Sequence, residues 1–107
     1  MNIIWKIKIH KLVLSEDFKP ISRPECNIIL RAIRKKLGTD PKSYGKPLVG
    51  ALKGYRRLRV GDYRVIYKIK QDLIEVLVVK IGIRRNEEVY KEMFSRLKKL
   101  QDGWENN

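Results

Sequence analysis

Arginine and lysine recur at even spacing around one turn: Arg57 and Arg59, then Gly61-Asp62, then Arg64 and Lys68. Gly-Asp between two alternating stretches reads as a two-residue hairpin loop. That loop sets a register in which Val60 opposes Tyr63, Arg59 opposes Arg64 and Leu58 opposes Val65. Strand side chains alternate between faces. Leu58, Val60, Tyr63, Val65, Tyr67 and Ile69 therefore share a face suited to a core, and Arg57, Arg59, Arg64 and Lys68 share the other with Tyr55 and Ile66. Like charges directly opposed across a ladder repel, a placement that stability alone does not favour. A planar, permanently charged, multi-donor side chain suits phosphate recognition. The competing reading is a solvated basic face with its arginines splayed into water.

Further along, Lys80-Ile81-Gly82-Ile83-Arg84-Arg85 is followed by Tyr90. These residues reach the arginine face only if the 73–81 strand pairs beside 63–70. Taken alone, Arg84 reads equally as a surface arginine and Tyr90 as a helix-packing tyrosine. Other chemistries find little support. His10, at the end of the first strand, has no ligand-spaced neighbours and reads as a surface or edge residue. Cys26, the only cysteine, falls in a helical pattern and reads as a packing residue. No disulfide framework, zinc spacing or other metal cluster stands out, and no glycine-rich phosphate loop precedes a helix. No metal or cofactor is expected. The apolar run 73–81 is too short to span a bilayer and contains Glu75 and Lys80. The start of the chain has lysines within its apolar run, unlike a signal peptide, so a cytoplasmic location is expected.

Those side chains need a scaffold, and 107 residues suffice for one domain, 1–107. Twenty-five Lys and Arg against twelve Asp and Glu give +13, a balance that attracts polyanions: nucleic acid first, a membrane surface second, an acidic protein third. Residues 5–10 alternate as a strand, and 11–19 suit a short helix ended by Pro20. Ser22 and Glu25 form a capping box, with Ile29, Ala32, Ile33 and Leu37 on one face and Gly38 as the stop. Residues 39–54 read as loop. Strands are predicted at 55–60, 63–70 and 73–81, the last two joined by a turn at Gln71-Asp72. A final helix starts at Asn86 with Val89, Met93, Leu97 and Leu100 as its apolar face. Residues 101–107 are expected to fray. The order is β-α-α-β-β-β-α, an α+β domain.

The stretches GKPLVGALKGYRRLRVGDYRVIYKI (45–69) and VVKIGIRRNEEVY (78–90) closely resemble the RelE branch of the RelE/ParE toxins. The likeness is strong over 45–90. The combination of LRVGDYRVIY, IGxR and VY at this spacing is highly specific. The resemblance implies a small twisted antiparallel sheet with two N-terminal helices on one face and a C-terminal helix. It also implies a metal-independent endoribonuclease that binds the ribosomal A site, with its 16S rRNA, and cuts messenger RNA there through attack by the messenger's own 2′-hydroxyl. An acidic RelB-like antitoxin is the implied partner. Carried over by position, Arg64 resembles the transition-state arginine, Arg84 the general acid or phosphate clamp, and Tyr90 the tyrosine that stacks on or orients the substrate. Arg59 resembles a supporting phosphate contact. Arg57 and Tyr55 stand where some members carry lysines, one of them a proposed base, and Ile83 stands where many carry histidine or lysine. Proton abstraction thus falls to Tyr55 or Lys53, or to no side chain at all; Lys68 and Arg85 complete the phosphate-binding set. Two alternatives remain: a ParE-like toxin that poisons DNA gyrase without cutting, and a plain RNA-binding domain.

Overall fold

Alternation in the 56–70 stretch is realised as a hairpin, in a computed structural model that describes residues 4–83 and 87–103, the side chains of 101–103 excepted. Strand β3 (Arg56–Val60) turns at Gly61, whose φ of 57° suits a residue without Cβ. Strand β4 (Tyr63–Lys70) returns in the register read from the turn, Arg59 opposite Arg64 and Leu58 opposite Val65. Strand β5 (Glu75–Ile83) pairs antiparallel with β4, and the pairing jumps from Ile66↔Lys80 to Tyr67↔Val78, a bulge that adds one residue to β5. Strand β1 (Lys6–Ile9) runs parallel to β5 on one flank, and the two-residue β2 (Lys46–Pro47) pairs with β3 on the other. The sheet order is β1-β5-β4-β3-β2.

Helices cover both faces. A π-helical turn, Val13–Asp17, leads to α1 (Arg23–Ala32) and its wider last turn, Ile33–Leu37. The capping box forms: Glu25 N–H donates to Ser22 Oγ at 3.4 Å, and Ser22 Oγ donates to Glu25 Oε1 at 3.1 Å. Val13, Ile29, Ile33 and Leu37 bury against Leu58, Val65, Tyr67, Val76 and Val78 of the sheet. Helix α3 (Glu88–Arg96) and the 3₁₀ turn Leu97–Gly103 lie on the opposite face, where Val89, Met93 and Leu100 meet Leu52, Ile66, Leu77 and Val79. The arginine face is therefore half covered by a second apolar cluster.

Several expectations change. The 39–54 stretch holds a short helix, α2 (Pro41–Tyr44), then β2 and a 3₁₀ turn, Gly50–Leu52. Arg56 holds it in place: Nη2 donates to Lys42 O at 2.6 Å and to Gly45 O at 2.8 Å, while Tyr67 Oη donates to Pro41 O at 2.7 Å. The β4–β5 link is a three-residue 3₁₀ turn, Gln71–Leu73, followed by Ile74 at φ 53°. His10 is no surface residue: it is fully buried, with Nδ1 accepting from Leu12 N–H and Nε2 3.1 Å from Leu100 O. It joins the first strand's exit to the 3₁₀ turn Leu97–Gly103. Asn86, the expected helix start, lies outside the described residues, as do 104–107 of the segment expected to fray.

Candidate functional site

Arg59, Arg64 and Gly82 form one row across β3, β4 and β5. A Cβ on Gly82 would lie 2.7 Å from Val89 Cγ2 and 3.1 Å from Val89 Cβ, so glycine is what lets the first turn of α3 settle onto the sheet. The helix so seated carries Tyr90 over Arg64, whose Cζ lies 5.1 Å from the ring centroid. This is a cation–π contact. Beneath the ring, Arg64 Nε and Nη1 are buried and have no hydrogen-bond partner among the described residues. Unsatisfied buried donors cost about 1–3 kcal/mol each, and more when charged. An oxyanion is the natural acceptor for them. Reaching them requires covering groups to move aside, and the Tyr90 ring is one of these.

The other site residues extend from this row. Arg59, opposite Arg64, is exposed; Arg57 is half-buried beside Ile66 and Lys46. Lys68 lies further along the same face of β4, its Nζ 5.6 Å from the centroid of Tyr55. Tyr55 packs on the second apolar cluster, and burial raises the pKa of its hydroxyl above 10.0. It therefore stays a phenol at neutral pH, able to donate a hydrogen bond and poorly suited to take a proton. Lys53 is exposed at the end of the 3₁₀ turn. The cationic face continues round the β2 edge to Lys46, Lys36 and Tyr44, with Lys36 Nζ 5.8 Å from the Tyr44 ring centroid. Arg84 and Arg85 lie outside the described residues; β5 runs to Ile83, opposite Tyr63, the residue before them.

Sequence reasoning passed over three residues, Asp17, Lys80 and Arg96, which form a buried ion-pair cluster between β5, α3 and the π-helical turn. Lys80 gave a signal, since a charge inside the apolar stretch 76–81 demands a partner. Asp17 gave none, one acid among the mixed residues of its segment, and neither did Arg96, one cation among several in its stretch.

A family described as the ParE toxin of type II toxin–antitoxin systems, parDE, matches residues 22–88. No curated protein sequence matches the chain. Among solved structures, the toxin–antitoxin complex RelBE2 from Mycobacterium tuberculosis aligns with a TM-score of 0.72 and 21% identity, over 77% of this chain and 93% of that one. The archaeal RelE–RelB complex from Pyrococcus horikoshii aligns with a TM-score of 0.61 and 25% identity, over 78% and 98%. The isolated RelE toxin of E. coli aligns with a TM-score of 0.61 and 15% identity, over 87% and 98%. The chain belongs to the ParE toxin family of type II toxin–antitoxin systems, within the RelE/ParE superfamily.

Proposed function

We propose that this toxin is a ribosome-dependent, metal-independent endoribonuclease that cuts messenger RNA in the A site. The supporting observation is Arg64: a guanidinium with two buried N–H donors that have no partner among the described residues, capped by an aromatic ring, on a cationic face. Donors fixed before the reaction and aimed at developing charge are the main source of rate enhancement in phosphoryl chemistry. In the step, the 2′-oxygen bonds to phosphorus and the bond from phosphorus to the 5′-oxygen breaks. A 2′,3′-cyclic phosphate and a 5′-hydroxyl result. Arg64 neutralises the charge on the phosphoryl oxygens, with Arg59 and Arg57 as flanking contacts, and Tyr90 orients the nucleotide by stacking. Arg84 is assigned as a further phosphate clamp, and the leaving 5′-oxygen takes its proton from solvent. The 2′-hydroxyl proton passes to solvent, since arginine remains protonated and Tyr55 remains a phenol. Lys68, Lys53 and Arg85 extend the phosphate track. The cell compartment is the cytoplasm, where ribosomes and an acidic, RelB-like antitoxin would meet the toxin.

A second reading is a gyrase inhibitor that cuts nothing. It is favoured by the family match to ParE and by tyrosine and arginine at 55 and 57, where a lysine base would serve a nuclease. The deciding experiment incubates purified toxin with ribosomes programmed by a defined messenger, with gyrase supercoiling assayed in parallel. Cleavage within the A-site codon that persists with a chelator, on ribosomes kept intact by polyamine, supports the nuclease. Inhibited supercoiling with an intact messenger assigns the chain to the second reading.

A further inference from the structure

Beyond Val78 the outer edge of β5 has no strand beside it among the described residues. The parallel pairing with β1 ends at Ile9↔Val78, and His10 N–H, 2.9 Å from Val78 O, is the last main-chain link. Open edges expose donors and acceptors, and here two side chains take them. Arg96 Nη1 donates to Val79 O at 3.1 Å, and Ile81 N–H donates to Asp17 Oδ2 at 2.9 Å. The same two residues pair as a fork, Nη1 to Oδ2 at 2.7 Å and Nη2 to Oδ1 at 2.8 Å. Lys80 Nζ adds a bond to Asp17 Oδ1 at 2.9 Å. The Asp17 side chain is 1% exposed and Arg96 6%. Half-exposed Glu16 and Glu92 hold the outer sides of Arg96 and Lys80.

This cluster joins three elements: the π-helical turn, the bulged stretch of β5 and the last residue of α3. Burying ions gives little net stability, because desolvation offsets attraction. Its product is direction. The apolar contacts of Val89, Met93 and Leu100 hold α3 down, yet apolar attraction is non-directional. A bidentate guanidinium–carboxylate fork fixes both the depth and the rotation of the helix. Tyr90 lies six residues before Arg96, about 9 Å along the axis. The helix is thus set at one end by Val89 on Gly82 and at the other by Arg96 on Asp17.

We propose that Asp17 is a positioning residue: by occupying the free edge of β5 and gripping Arg96, it holds α3 where Tyr90 covers Arg64. Its importance for turnover rests on the nuclease reading; its effect on the Tyr90–Arg64 contact does not. The test is NMR of the full-length toxin, following the Arg64 Nε–Hε resonance, which feels the ring current of Tyr90. Tyr90→Leu supplies the uncovered reference. Asp17→Asn is expected to move the resonance toward that reference and to speed amide exchange in α3 on the order of a hundredfold, as befits a buried guanidinium that loses its buried carboxylate, while β3 and β4 keep their protection. Arg96→Lys keeps the charge but loses the fork. If Asp17 positions the helix, this variant moves the Arg64 resonance too; if the cluster serves stability alone, the variant stays at the parent position. An unmoved resonance in Arg96→Lys overturns the proposal, and that holds even where Asp17→Asn fails to fold. On programmed ribosomes, Arg96→Lys is expected to lower kcat at least about tenfold with KM nearly unchanged. A parent that cuts no messenger counts against the nuclease reading and leaves the NMR result to judge the positioning.

Discussion

On the nuclease reading the chemistry centres on Arg64, and its substitution separates function from fold. Arg64→Ala removes two buried donors that no described residue satisfies, so its thermal stability should stay within about 1 kcal/mol of the parent. Its single-turnover cleavage should fall by about 3 kcal/mol of transition-state stabilisation, on the order of a hundredfold. A variant that melts like the parent and cuts like the parent removes Arg64 from the site. Tyr90 meets the guanidinium with its ring, so Tyr90→Phe should cost less activity than Tyr90→Ala; equal losses would assign the function to the hydroxyl. Tyr55 bears on proton transfer. Its pKa is raised by burial, so its ionised form is scarcer at neutral pH than that of a free tyrosine. A base with so high a pKa would make the rate climb about tenfold per pH unit toward alkali. The expected profile from about pH 6 to about pH 9 shows no such climb owed to Tyr55, and Tyr55→Phe should leave its shape unchanged. The arginine row was legible because a Gly-Asp turn fixes register and period-two alternation fixes faces. The covering of Arg64 was not, since it depends on where a helix some 25 residues later comes to rest.

At the level of elements, the hairpin, α1 and α3 were legible from local signals: a turn, a capping box, an apolar stripe. The 39–54 stretch was not. Its two-residue β2 is too short for any period, and it is held by Arg56 and Tyr67 reaching back from the sheet. The bulge in β5 also left no mark, although it turns Lys80 to face Asp17 and Glu92. Gly82 links these elements to the site. Gly82→Ala places a methyl group against the β-branched stem of Val89, which cannot yield without lifting the first turn of α3. The expected cost is about 1–3 kcal/mol of overpacking, with cleavage reduced by more than the stability loss explains because Tyr90 moves as well. Calorimetry and cleavage on the same preparation check this. Unchanged activity in a destabilised variant would show that the seat of α3 does not matter to the site.

For the whole molecule, charge and the two covered faces set how an antitoxin can act. The chain carries +13, and its cationic face wraps from Arg64 across β3 to the β2 edge. Opposite charge accelerates encounter, and salt screens it over about 8–10 Å. Association with an acidic antitoxin should therefore slow by at least about tenfold between about 50 mM and about 500 mM salt, while dissociation changes far less. On the nuclease reading, inhibition can come from covering the arginines, from bulk that keeps the toxin out of the A site, or from removal of α3 and Tyr90 with it. Removal is the demanding route: it exposes Ile66, Leu77 and Val79 and takes the Arg96 guanidinium away from Asp17. A partner that displaces α3 must supply an apolar helix face of its own and donors to replace the Arg96 fork on Asp17. The expected arrangement combines bulk with such a replacement, because α3 leads directly from the site and follows β5 by a short connection. Hydrogen exchange of the toxin alone and in complex distinguishes the routes. Displacement predicts that amides of residues 88–96 lose protection on binding while those of β5 retain it; equal protection in both states assigns inhibition to bulk or to covering of the arginines.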